Sequence, residues 1–142
     1  MTASILVVDD ANTVRLYHRK ILGDAGWQVD EAGNGVEALE KALQRAPDQA
    51  FDLYVVDVNM PKMDGFSFVR ELRRQGELRQ SPVLMVSTEA QPQDATTALQ
   101  AGANGYLVKP PRPGELVLAA ALMLGDLAAA RKAAALEAAR GI

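Results

Sequence analysis

The chain has 142 residues, enough for one domain with a single core and too few for two comfortable ones. Lys and Arg total 15 against 18 Asp and Glu, a net charge of -3, so no overall positive field marks a nucleic-acid binder. With no cysteine there is no disulfide framework and no thiolate metal site, which fits a reducing compartment, and the cytoplasm is the expected location. Met1-Thr2-Ala3-Ser4 lacks a basic region ahead of an apolar one. The longest apolar run, Leu116 to Leu124, is far short of the ~20 residues that span a bilayer, so neither export nor a membrane span is expected.

From the N-terminus, Ile5-Leu6-Val7-Val8 is a continuous apolar run closed by the paired acids Asp9-Asp10, and it reads as a central strand. Asn12 is a plausible N-cap for a helix whose apolar stripe runs Val14, Tyr17, Ile21 and Ala25 until Gly26 stops it. His18, the only histidine, has no Asp, Ser or Cys constellation in its vicinity and reads as a surface or boundary helix residue. Trp27 to Ala32 alternates apolar with polar, the mark of a half-exposed edge strand. Asn34-Gly35 supplies a turn into a second helix with Val36, Leu39, Leu43 and Ala46 on its apolar face, ending before Pro47.

Asp52 to Val58 is the next strand, with Asp57 where the apolar run stops and Pro61 and Asp64-Gly65 reversing the chain immediately afterwards. A third helical stripe follows through Phe66, Val69 and Leu72 to Gly76. Pro82 to Val86 is another unbroken strand ending at Ser87-Thr88, and Pro92 opens a fourth helix with Ala95, Ala98, Leu99 and Gly102 facing inward. Tyr106-Leu107-Val108 is a short last strand. Strands alternating with helices about five times predict an α/β fold: a doubly wound, five-stranded parallel sheet with about five helices and right-handed crossovers.

In such a sheet the C-terminal strand ends share one rim, so Asp9, Asp10, Asp57, Ser87 and Lys109 should converge there. Three carboxylates within a few ångströms repel by several kcal/mol, on the order Coulomb's law gives at an effective dielectric of roughly 20. A cation is therefore required. Lys109 supplies one charge, and an oxygen-loving divalent ion such as Mg²⁺ supplies the rest.

The blocks Val7-Val8-Asp9-Asp10, Val56 to Gly65, Val86-Ser87-Thr88 and Ala101 to Pro110 agree in order and spacing, and together they resemble the receiver domain of bacterial two-component response regulators. The resemblance covers about residues 4 to 124 and is nearest the single-domain chemotaxis regulators. It implies the flavodoxin-like strand order 2-1-3-4-5, whereas the residues themselves mark only the second strand as an edge. It further implies that Asp57 is the phosphoacceptor, taking a phosphoryl group from a histidine kinase or phosphotransfer protein. Asp10, Asp57 and the backbone carbonyl of Asn59 would hold Mg²⁺, with Asp9 acting through water. Lys109 and Ser87 would contact phosphoryl oxygens, Pro110 would follow a cis peptide, and Tyr106 would be the aromatic whose rotamer follows Ser87.

Pro111 departs from the family, which often has Phe there, and it stiffens the loop before the fifth helix. Residues 1–125 are thus expected to form the receiver, and 126–142 an Ala-rich helical extension. That extension either continues the fifth helix past Gly125 or frays as an appendage, or else it docks or dimerises through Leu127 and Leu136. The expected protein is a monomeric stand-alone regulator, not an enzyme, whose output is phosphorylation-dependent binding to a downstream target such as the flagellar motor switch, most naturally in chemotaxis. Asn59 and Glu89, two residues after Asp57 and Ser87, match the chemotaxis-type pattern. A phosphate shuttle or sink in a relay, or a regulator of a separate enzyme, are alternatives within the family. A haloacid-dehalogenase-type phosphatase also uses an aspartyl-phosphate, but it needs a carboxylate where Asn59 stands. A nucleotide-binding Rossmann domain lacks its Gly-rich loop here.

Overall fold

Residues 2–140 are described by a computed structural model; Met1, and Gly141 and Ile142 at the end of the expected extension, lie outside the described residues. Five strands, β1 (Ser4–Val8), β2 (Gln28–Ala32), β3 (Leu53–Val56), β4 (Val83–Ser87) and β5 (Gly105–Val108), form one sheet in the order 2-1-3-4-5. Every pairing is parallel, with Val8 opposite both Ala32 and Val56, and Ser87 opposite Val108. The crossovers are α1 (Asn12–Asp24), α2 (Gly35–Gln44), α3 (Gly65–Arg74) and α4 (Pro92–Ala101), and after β5 come α5 (Pro113–Leu124) and α6 (Leu127–Arg140).

Period-two alternation in the central strands divides the core. Leu6, Val8, Tyr54, Val56, Val83 and Met85 face α2, α3 and α4, whereas Ile5, Val7, Leu53, Val55, Leu84 and Val86 face α1 and α5. The strands that read as unbroken apolar runs are those covered on both faces, and β2, which alternates, is an edge strand.

The helices turn different faces inward than their bulkiest residues suggest. In α1 the buried pair is His18 and Leu22, Tyr17 is 43% exposed, and Val14 and Ile21 flank the contact. His18 is therefore a core residue rather than a surface one, at 2% exposure, and its burial lowers its pKa against the opposing pull of Asp9. Asn12 is the first helical residue rather than the cap, which is Ala11, and its side chain accepts from Arg15 Nη2. In α2 the buried residues are Gly35, Ala38 and Ala42, with Leu39 partly buried, Val36 and Leu43 exposed, and Ala46 beyond the helix. Asn34 caps it by accepting from the Glu37 amide at 2.9 Å. Helix α3 buries Phe68 alongside Val69 and Leu72, with Phe66 only half-buried. Helix α4 buries Ala98 and Ala101 and leaves Leu99 exposed. In α2 and α4 the cause is close approach: alanines let a short helix lie near the sheet, and the larger side chains then fall outside the contact.

Gly125 ends α5 in the left-handed conformation (φ 73°), so α6 does not continue it. Asp126 starts the new helix, its carboxylate accepting from the Ala129 amide at 3.1 Å. Helix α6 then returns along α5, buries Ala130 and Ala133, and leaves Leu127 and Leu136 exposed, so the contact is made by the small residues and the segment is neither a continuation of α5 nor a frayed appendage. The reason lies in α5: Pro113-Gly-Glu-Leu-Val-Leu-Ala-Ala-Ala-Leu-Met-Leu124 has one charged residue and no polar face, and a helix apolar all round requires cover on more than one side.

Candidate functional site: an acidic rim with one lysine

Each element carries one piece of the rim and the sheet register sets the spacing. The Asp9 amide donates to Ala32 O at 3.1 Å, the Asp57 amide to Val8 O at 2.8 Å, and the Lys109 amide to Ser87 O at 2.7 Å. These bonds fix the residue just past each strand end, so the side chains issue from neighbouring strands at one level. Oxygens of Asp9, Asp10 and Asp57 lie within 4.8 Å of one another; Asp9 and Asp57 are buried and Asp10 is exposed. Lys109 Nζ reaches Asp9 Oδ2 at 2.6 Å and Asp57 Oδ1 at 3.0 Å. The Lys109–Pro110 peptide is cis.

The turn after Asp57 is held tightly. The Gly65 amide donates to Val58 O at 2.8 Å, and a Cβ at Gly65 would collide with the backbone carbonyl oxygen of Asp57, so only glycine permits α3 to start this close to Asp57. Asn59 lies exposed in this turn, two residues beyond Asp57. Ser87 is fully buried, and its Oγ accepts from the Glu89 amide at 3.2 Å. Tyr106, half-buried, donates its hydroxyl to Glu89 O at 2.8 Å, which ties the end of β5 to the loop after β4.

Arg15, whose role the sequence does not signal, also belongs to the site. Its Nη1 donates to Asp9 O at 2.7 Å and its Nε to Glu31 Oε1 at 2.7 Å, so it fastens the acidic corner to β2. An arginine on an amphipathic helix gives no signal of that role.

Residues 5–121 match the response regulator receiver domain family. The chain belongs to that family. It is 37% identical over 122 residues to chemotaxis protein CheY1 of Helicobacter pylori, which spans 85% of this chain and 96% of that protein. It is 41% identical over 107 residues to chemotaxis protein CheY-3 of Vibrio cholerae, 75% of this chain and 79% of that one. Among solved structures it resembles chemotaxis response regulator CheY4 of Vibrio cholerae at 40% identity with a TM-score of 0.79, covering 87% of this chain and all of that one (100%).

The electrostatics of this receiver follow from burial. Burial raises the pKa of Asp57, with Asp9 and Asp10 adding to the rise and Lys109 opposing it. Burial alone would lower the pKa of Lys109, but hydrogen bonds to Asp9 and Asp57 outweigh it and the pKa is raised, so the lysine stays charged at neutral pH. The donor set is all carboxylate oxygen, two groups buried and one open to solvent, which suits a hard divalent cation such as Mg²⁺ and not a soft one.

A carboxyl whose pKa is higher in the folded state favours folding while protonated and opposes it once ionised, so this contribution is lost as pH rises through the folded value. Asp57→Asn should therefore raise the melting temperature of the chelator-treated protein at pH 7, and the gain should shrink as pH falls towards and below the ordinary carboxylate range. Thermal denaturation across pH checks this; a melting temperature lowered by the substitution at pH 7 contradicts it.

Proposed function

We propose that this receiver accepts a phosphoryl group on Asp57 from a histidine kinase or a histidine phosphotransfer protein and signals by phosphorylation-dependent protein binding, as a chemotaxis-type regulator. The observation that carries the reading is the buried Asp57 carboxylate 3.0 Å from Lys109 and beside two further carboxylates at one strand rim. An Asp57 oxygen attacks phosphorus, the O–P bond forms as the donor's N–P bond breaks, and the leaving imidazole nitrogen takes up a proton. Asp10, Asp57 and the Asn59 carbonyl would hold Mg²⁺ directly and Asp9 would hold it through water; when bound, the ion neutralises charge on the transferring phosphoryl oxygens. Lys109, freed from part of its contact with Asp57, pairs with one phosphoryl oxygen, and the Ser87 hydroxyl donates to another. The acceptor is not a turnover catalyst, because Asn59 stands where a phosphatase of the aspartyl-phosphate type needs a carboxylate.

The output surface is the edge of the sheet. Leu99 of α4, Val108 of β5 and Leu122 of α5 are 58%, 44% and 60% exposed, apolar side chains on the elements at and after this edge that fit a protein partner such as the flagellar switch. No described helix is long and apolar enough to cross a membrane. Drawing the Ser87 hydroxyl toward a phosphoryl group removes it from the Glu89 amide. That releases the loop Tyr106 is bonded to, so the aromatic changes rotamer and the face remodels.

Incubation with acetyl phosphate and Mg²⁺ should add one phosphoryl group to the wild-type chain and none to Asp57→Asn, read by intact mass, while Asp10→Ala should weaken Mg²⁺ binding strongly by titration. Labelling of Asp57→Asn at the wild-type level would refute the acceptor assignment, and unchanged affinity in Asp10→Ala the metal assignment.

The switch has its own check. Beryllofluoride, a phosphoryl mimic, should shift NMR resonances across α4, β5 and α5 in the wild type and much less in Ser87→Ala and Tyr106→Ala, since one hydrogen bond of about 1–3 kcal/mol is a large share of the available coupling. Full-sized shifts in both variants would mean that the signal leaves Asp57 by another route.

A further inference from the structure

The antiparallel return of α6 brings its C-terminal half beside the N-terminus of α5, and so to the rim that holds the acidic site. Two polar anchors fix it. At its start Trp27 Nε1 donates to Asp126 Oδ2 at 3.0 Å. Toward its end Glu137 Oε2 accepts from Arg112 Nε at 2.9 Å, and Nη2 of the same guanidinium lies at 2.9 Å. Arg112 belongs to the loop that carries Lys109.

Glu137 is enclosed, its side chain 17% exposed, and its other oxygen, Oε1, is buried without a hydrogen-bond partner, the one such side-chain atom among the described residues. That oxygen lies over Gly114, where any Cβ would collide with it. A carboxylate seated at the first turn of α5 faces the positive end of that helix, which offsets part of the cost of leaving Oε1 unpaired. The family match ends at residue 121, before α6 begins.

We propose that Glu137 is a positioning residue: it holds the Lys109 loop through Arg112, so that docking of α6 and occupancy of the phosphoacceptor site are coupled. The inference rests on the role given above to Lys109. From Lys109 to the first residue of α5 the chain reads Pro110-Pro111-Arg112-Pro113, and the two prolines between the lysine and Arg112, with fixed φ, leave little freedom to absorb a displacement of Arg112 before it reaches the lysine. Lys109 is in turn bonded to Asp9 and Asp57, so movement of the loop changes the distance between the ammonium and the acceptor. Coupling of this kind is reciprocal: if α6 sets the position of Lys109, drawing Lys109 onto a phosphoryl group must alter the docking of α6. The Arg112 guanidinium is largely in water, so the effect is graded and not all-or-none.

The test uses the full chain and a charge-reversal cycle. Arg112→Glu and Glu137→Arg should each slow labelling by acetyl phosphate about two- to fivefold, the range for a partly exposed ion pair, and the double reversal should restore most of the rate. Melting temperatures of the four proteins separate this from loss of fold, since a merely structural role would track stability and not the pairing of charges. In the metal-free protein the Lys109 backbone amide should shift between wild type and Glu137→Gln, and beryllofluoride with Mg²⁺ should shift the amides of residues 134–138 in wild type only. Wild-type rates in both single reversals, slowed rates without rescue, or a silent α6 on adding beryllofluoride each overturn the proposal. Lys109→Met separates the two levels: if it labels as fast as wild type, the role of Lys109 and this inference both fall. If it is slow while the Glu137 variants are normal, only this inference falls.

Discussion

One ammonium between two buried carboxylates organises the functional end of this molecule. Asp9 and Asp57 are both nearly inaccessible, they stand on adjacent strands whose register is fixed by backbone hydrogen bonds, and Asp10 adds a third charge at the solvent edge. Left alone that arrangement opposes folding. Lys109 is held charged by the same groups it neutralises, and it cannot balance three of them. The unbalanced remainder is what suits the site to a divalent cation, so the electrostatic strain of the resting fold and the fitness of its donor set for such an ion have one origin.

Much of this was legible in the sequence because its signals sit in the strands. Runs such as Leu53 to Val56, covered on both faces, are near-continuous in apolar residues, and a polar residue directly after such a run must lie at the strand's end. The edge position of β2 was equally plain from its alternation. The helices were less legible. In α2 and α4 the contacts with the sheet are made by Ala38, Ala42, Ala98 and Ala101, and the large side chains Leu43 and Leu99 point away from the contact. Where packing depends on closeness, bulk misleads. His18 was misplaced for a related reason: a polar residue one step from an apolar stripe reads as boundary, yet α1 turns so that His18 and Leu22 face the sheet together.

The C-terminal helix shows what a sequence hides when two segments explain each other. Leu116 to Leu124 is too apolar for a surface helix, and 127–140 is too poor in bulk to hold itself in place. Each observation makes sense only in the other's presence, and nothing local announces the pairing. Gly114 likewise looks like an ordinary helix-start glycine until Glu137 arrives over it. The result is a receiver fold whose Lys109 loop has a second tether outside the sheet.

The most direct measurement of the central claim is a carboxyl ¹³C NMR titration of the aspartates in the metal-free protein, wild type against Lys109→Met. The account predicts that Asp57 titrates above the ordinary carboxylate range in the wild type and moves higher still when the lysine is removed, because burial and its acidic neighbours then act unopposed. An Asp57 that titrates at the ordinary value, and does so with or without Lys109, would contradict it.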